Sequence, residues 1–351
     1  EHDNLRAALG WAQEHPQFTA AGLRAASALH RFWQTRGLFS EARWRLQSLL
    51  EHAGEIPGDL RARALRESGW LACAQGDYLS AEQYALQSLE IWRGLGTASE
   101  IGTTLYLLGS TAEQQGSYGP ARAAYQEALA LAERHGDERG ITEALQALGV
   151  VALKQGDMET AETLIGSVVE RWRNSPEIHQ VPTATILLGH VLRIKGDLDR
   201  ARDRYEEGLR LARTMGDRTS TGWALSDLGR LALLRGEPEC AESHFKQAME
   251  IWRAVGNKEG IIRTVEGLAR LAADQGDPAR ALRLFSAAQS LREIFRFALP
   301  IADRGEYDAL PALHEALGYE AENVRSEGRA MTLESAAAYA LGLTAEGLNR
   351  A

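Results

Sequence analysis

The chain has 351 residues, 44% of them hydrophobic, a formal net charge of −9 and only two cysteines, Cys73 and Cys240. It carries no apolar run long enough to span a bilayer and no strand-like alternation, which excludes a helical membrane protein and an all-β fold. The acidic balance speaks against nonspecific binding to nucleic acid or membranes, no signal peptide is read at the start, and two buried free thiols in a reducing cytoplasm are the expectation.

The opening residues, Glu1 to Ala12, read as a helix, and residues 20–53 as a helical pair in which Gly37 and Ala42 form a weak first copy of a repeated block. The start at Glu1 rather than methionine is the expectation for a piece of a longer protein. Residues 1–58 are therefore taken as an N-terminal helix with a first repeat-like hairpin.

From residue 59 to 298 the block returns every 40 residues, in six good copies. Gly76, Gly116, Gly156, Gly196, Gly236 and Gly276 are each followed five residues later by an alanine, and preceded seven residues earlier by Gly69, Gly109, Gly149, Gly189, Gly229 and Ala269. Leu105, Leu108, Gly109 and Ala112 share one face of a helix that ends at Gly116, where a left-handed residue stops it. A second helix begins behind a capping residue, Asp77, Ser117, Asp157, Asp197 or Asp277, with Glu237 the weakest; Pro238 and Pro278 suit its first turn.

That second helix buries Ala121, Tyr125, Ala128 and Leu129, and the matching Ala161, Ile165, Val168 and Val169, then Ala201, Tyr205, Gly208 and Leu209. Each block is thus a helical hairpin that cannot cover its apolar stripe alone and must stack on the next. Links between hairpins carry Gly96, Gly136, Gly216 and Gly256, with Pro176 where a further glycine is due. Trp92, Trp172 and Trp252 recur at 80-residue intervals, which implies a duplicated two-repeat unit with the ring as a wedge between repeats. Residues 299–351 lose the phase: Pro300 breaks the array, two or three short helices come after it, Thr332 caps the last, and the segment covers the end of the stack.

The order leucine pair, glycine, alanine, aromatic, alanine resembles the tetratricopeptide signature, here in a 40-residue version longer than the usual unit of about 34 residues. The resemblance implies an all-α fold, a right-handed superhelix of about seven 40-residue hairpins with a helical C-terminal cap. The two ends are similar to the repeat regions of bacterial signal-transduction ATPases and LuxR-type regulators. This likeness rests on Glu1 to Ala12, Arg31-Phe32-Trp33, Ser40-Glu41-Ala42-Arg43, Ala281 to Ala288, Tyr307 to Leu317 and Glu327 to Ala340. Leu343 to Glu346 fall where a LuxR-type helix-turn-helix would begin. There is no GxxxxGK[ST] loop, so nucleotide binding is not expected of these residues.

In such arrays the first helix of each hairpin lines the concave side. Counted from Gly109, the groove positions lie six and three residues before and one, four and five after. That rule selects Arg63, Arg66 and Trp70; Thr103, Tyr106, Ser110, Glu113 and Gln114; Glu143, Gln146, Val150, Leu153 and Lys154. Further on it selects Thr183, Ile186, His190, Arg193 and Ile194; Trp223, Ser226, Arg230, Leu233 and Leu234; Arg263, Glu266, Arg270 and Asp274.

The candidate contacts among these are Arg63, Arg66, Trp70, Tyr106, Ser110, Gln114, Gln146, His190, Arg193, Trp223, Ser226, Arg230 and Arg270. Seven Lys or Arg stand against four Asp or Glu at the groove positions, which predicts a face more positive than the rest. Arginine beside tyrosine and tryptophan suits a carboxylate or phosphate next to apolar surface, and solvated groove residues with no single ligand are the plainer reading.

His190 lacks neighbours at metal-ligand spacing, and no nucleophile, base and orienting group fall together, so neither a metal, a cofactor nor an enzymatic activity is expected. The expected role is a sensor and interaction domain of a bacterial, transcriptional regulator, taking a protein, a peptide or a small effector in its groove, with homo-oligomers possible. The alternative is a stand-alone adaptor that holds a peptide segment.

Overall fold

The computed structural model describes residues 2–29, 32–33, 38–175, 178–295, 297 and 307–342, and throughout these the chain is α-helical with short 3-10 turns. Gly37, Pro176, Pro300 and Leu343 to Glu346, singled out above, lie outside the described residues. The chain divides into two compact units, Glu1–Leu164 and Ile165–Ala351, each described by itself.

The first unit starts with α1 (His2–Glu14), α2 (Thr19–Ala28) and α3 (Phe39–Glu51). They enclose a core of Leu9, Leu23, Trp33, Leu46 and Leu49, and this core reaches Leu60 and Leu71 of the next helix. The hairpins α4 (Gly58–Ala74) with α5 (Tyr78–Leu95) and α6 (Ala98–Gln114) with α7 (Tyr118–His135) come next, then α8 (Glu138–Gln155) and the start of α9 (Met158–Arg173).

The second unit holds the rest of α9, the hairpins α10 (Val181–Lys195) with α11 (Leu198–Met215), α12 (Arg218–Leu234) with α13 (Pro238–Val255), and α14 (Lys258–Asp274) with α15 (Pro278–Phe295). It ends with α16 (Leu310–Leu317), α17 (Ala321–Arg329) and α18 (Leu333–Ala340). Within the units α4 packs on α5, α6 on α7, α10 on α11, α12 on α13 and α14 on α15, and the hairpins join through α5 with α6, α7 with α8, α11 with α12 and α13 with α14. First helices of successive repeats, α4 with α6, α6 with α8, α10 with α12 and α12 with α14, also touch one another and so form the inner layer.

Two rows of glycine end the helices. Gly116 and Gly236 close first helices with φ of 75° and 72°, and Gly96 and Gly256 close second helices with φ of 72° and 69°. A side chain at these angles is strained, which explains why glycine returns there with the period. The second helices start on Asp77, Asp157, Asp197 and Asp277, whose carboxylates accept the backbone N–H three residues on, while Ser117 and Glu237 make no such bond. The first helices have caps of their own that the repeat pattern did not point to: Asp137, Asp217 and Asn257 accept from Gly140, Ser220 and Gly260.

The small residue in the first helix works by close approach. A Cβ placed on Gly109 would meet the Tyr125 ring at 2.5 Å, on Gly189 the Tyr205 ring at 2.8 Å, and on Gly229 the Phe245 ring at 2.6 Å. An aromatic ring of the second helix therefore lies flat against bare backbone of the first. Trp92, Trp172 and Trp252 are all buried. Trp252 is wedged between repeats as its spacing implied: a Cβ on Gly222 would lie 2.6 Å from its ring, and Gly260 of α14 closes on it from the following repeat.

The thiols differ from expectation, because Cys240 is exposed on the outer helix α13 and Cys73 is half-buried. Thr332 caps α18 as expected, accepting the Ser335 N–H at 3.2 Å. Among the described residues no helix is long and apolar enough to cross a membrane.

Candidate functional site

The inner layer carries the candidate contacts, and it differs between the two units. In the first unit, Arg66 is buried, and its guanidinium donates to Glu100 of α6, which also accepts from Arg63 at 3.1 Å. Glu100 lies three residues upstream of the groove window and was missed; its carboxylate holds two cations of the preceding repeat.

Trp70 and Tyr106 are half-buried, with ring centroids 6.2 Å apart, and Tyr106 meets Tyr125 at 5.3 Å. Burial first, then the Glu143 and Glu113 charges, push the Tyr106 hydroxyl up to about 12. The Tyr125 hydroxyl donates to Glu113 Oε2 at 3.1 Å, and Lys154 Nζ donates to Oε1 of the same carboxylate at 2.6 Å. Burial and that carboxylate hold Tyr125 protonated well above the ordinary tyrosine range. Ser110 stands beside the Tyr125 hydroxyl, Gln146 is half-buried on α8, and Gln114 is exposed.

In the second unit the same phases are filled from within. Ser226 is fully buried and accepts the Trp252 indole N–H at 3.2 Å, so its hydroxyl seats the wedge instead of facing an open groove. Arg230, at 3% exposure, is likewise internal: Nη2 donates to the Arg263 carbonyl at 2.9 Å and lies 3.9 Å from Glu266. Removal of Arg230 would therefore disturb the fold, because the helices close over it.

Trp223 remains half-buried, 4.7 Å from the Trp252 ring and 5.0 Å beneath the Arg263 guanidinium. Arg263 also lies 3.6 Å from Asp227. Arg193 reaches the Tyr205 hydroxyl, whose proton is held far above the ordinary range by burial and then by Asp227. His190 is half-buried, and Arg270 pairs with Asp274 on its own helix at 2.9 Å.

The positive face expected from residue types becomes a set of local pairs, because Glu100 and Asp227, outside the counted positions, bring carboxylates to it. Glu266 is completely buried, binds Arg292 of α15 through Nε at 2.5 Å and Nη2 at 2.8 Å, and accepts from the Tyr307 hydroxyl at 2.5 Å. Arg292 belongs to a second helix and Tyr307 to the aperiodic end, so a rule confined to first helices finds neither. Among the described residues no group of three His, Cys, Asp or Glu could hold a metal ion.

Residues 137–308 match the model of the MalT-like TPR region, the repeat region of a LuxR-type signal-transduction ATPase regulator, and residues 60–134 match that of the tetratricopeptide repeat. No curated protein matches the chain in sequence. Among solved structures, the apo form of RapI is similar over 79% of this chain and 99% of its own, with a TM-score of 0.65 at 11% identity. The Rap conjugation gene regulator of plasmid pLS20, in complex with the Phr* peptide, is similar over 79% of this chain and 76% of its own, with a TM-score of 0.58 at 18% identity. NprR in complex with its cognate peptide NprX covers 87% of this chain and 86% of its own, with a TM-score of 0.56 at 12% identity. These likenesses concern the fold.

Proposed function

Because this chain belongs to the tetratricopeptide-repeat family, we propose that it is a non-catalytic module that captures a peptide segment of a partner on the inner face of its first unit. The observation that carries this reading is the Trp70 and Tyr106 pair on adjacent first helices. Two half-buried rings 6.2 Å apart offer apolar surface, with Arg63, Arg66 and Glu100 on one side and Lys154 and Glu113 on the other. Aromatic platforms anchor bound side chains, while Ser110, Gln114 and Gln146 bring hydroxyl and amide groups suited to a peptide backbone. Peptides are what the pLS20 Rap regulator and NprR hold in their complexes, which lends the same class of ligand to this fold.

The match of residues 137–308 to the MalT-like region supports a place in a bacterial transcriptional regulator, where capture is passed to domains other than this one. Calorimetry of the purified chain against a library of short peptides tests the reading. A saturable ligand should lose at least roughly tenfold in affinity in Trp70→Ala and in Tyr106→Ala, the cost of a truncated aromatic anchor. A ligand whose affinity survives both changes, or the absence of any peptide ligand, rejects it.

A further inference from the structure

The last hairpin's groove position is already occupied, and by the chain itself. Glu266 stands three residues before Ala269, the phase at which Tyr106 stands before Gly109 and Arg66 before Gly69. Its carboxylate is sealed from water, and the Tyr307 hydroxyl completes its hydrogen bonds at 2.5 Å beside the Arg292 pair. The Tyr307 ring packs 5.2 Å from Phe285, and burial with the adjacent carboxylate keeps its hydroxyl protonated.

The segment that brings Tyr307 is held unlike the rest of the cap. Helices α17 and α18 are pinned at several points: Gly328 lies against the Arg283 carbonyl, Arg283 binds Glu327 at 2.9 Å and the Tyr339 hydroxyl at 2.6 Å, and Arg280 donates to the Ala340 carbonyl at 2.9 Å. Between Tyr307 and Leu317 only Leu313 is buried. A stretch that rests on α15 through one ring, one hydroxyl and one buried leucine, with His314 3.9 Å from Glu322 of α17, opens at a smaller cost than the helices after it.

We propose that the inner face at Glu266 is a second binding site for a peptide segment bearing a tyrosine, closed in the resting chain by Tyr307 as a built-in occupant. The aromatic hydroxyl is the recognised chemistry: it donates to a buried carboxylate that Arg292 already neutralises, so a phenylalanine in its place leaves a lone pair without its donor. An incoming tyrosine that displaces Tyr307 frees residues 307–317 without disturbing α17 and α18.

The test uses the full chain and a synthetic peptide copying residues 307–317. Tyr307→Ala is expected to bind the peptide saturably by calorimetry while the unaltered chain does not, and a peptide with phenylalanine for its tyrosine should bind roughly tenfold more weakly. Failure of the variant to bind, or equal binding of both peptides, overturns the proposal. Should Tyr307→Ala not fold, Tyr307→Phe keeps the ring against Phe285. Amide exchange over 307–317 should then rise about fivefold while α12 and α13 are unchanged, and unaltered exchange there overturns it equally. Trp70→Ala leaves all of these outcomes untouched, so this site and that of the first unit fail independently.

Discussion

At matching phases of one repeat, the first unit places Arg66, Tyr106 and Gln146 and the second places Ser226 and Glu266; in the first unit Arg66 is buried against Glu100 while Tyr106 and Gln146 stay half-buried, whereas both residues of the second unit are sealed by large groups. Trp252 covers Ser226, and Tyr307 with Arg292 covers Glu266, whereas Trp70 and Tyr106 stay half-buried. The difference teaches that repeat phase assigns a residue to the inner layer but does not leave it accessible. Access is decided by what the second helices and the aperiodic end bring against it.

The largest effect expected from breaking this contrast comes at Glu266. Glu266→Ala should destabilise the second unit by about 3–5 kcal/mol, because it leaves Arg292 and Arg230 buried without their carboxylate. Chemical denaturation with amide exchange on α12 to α15 measures it, and exchange in α4 to α7 should stay as before.

Next are the close approaches that both units share. Gly109→Ala and Gly229→Ala each force a ring to retreat and should cost about 1–3 kcal/mol, by similar amounts in the two units. A loss confined to one of them, read from denaturation midpoints, would show that the hairpins do not share this packing rule.

The pH dependence of the first unit is set in part by Tyr106. Its folded-state pKa, about 12, lies above the ordinary value of 10.0, so the folded chain binds this proton more tightly than the unfolded one. The stability it contributes is complete below pH 10 and declines as pH rises towards 12; Tyr106→Phe should flatten that decline in denaturation midpoints followed against pH. The smallest effect is expected of Lys154→Met. Its pair with Glu113 is partly solvated, so the loss in denaturation should stay within about 1 kcal/mol. A cost near that of Glu266→Ala would erase the distinction between the two inner faces.

Much of the hairpin architecture was legible in residue types. The left-handed glycines, the aspartate caps and the tryptophan wedge follow from local backbone geometry and from ring size at a fixed spacing, and both repeat with the chain. The caps Asp137, Asp217 and Asn257 went unread although each directly follows a link glycine, Gly136, Gly216 or Gly256, and precedes a first helix. Glu100 could have been found by asking which carboxylate falls about one period beyond Arg63 and Arg66. Tyr307 and Arg292 gave no such signal, because an aperiodic tyrosine and an arginine of a second helix have no phase that points to the inner layer.

By itself the sequence determined the array: helix starts and stops, and the small residues that let helices approach. Those depend on φ angles, caps and side-chain volume within one repeat. The tertiary structure alone decided which inner residues remain open and which are sealed. Burial of Arg230 and Glu266 depends on groups up to 41 residues away, and the hydrogen bond between Tyr307 and Glu266 depends on a segment outside the period altogether.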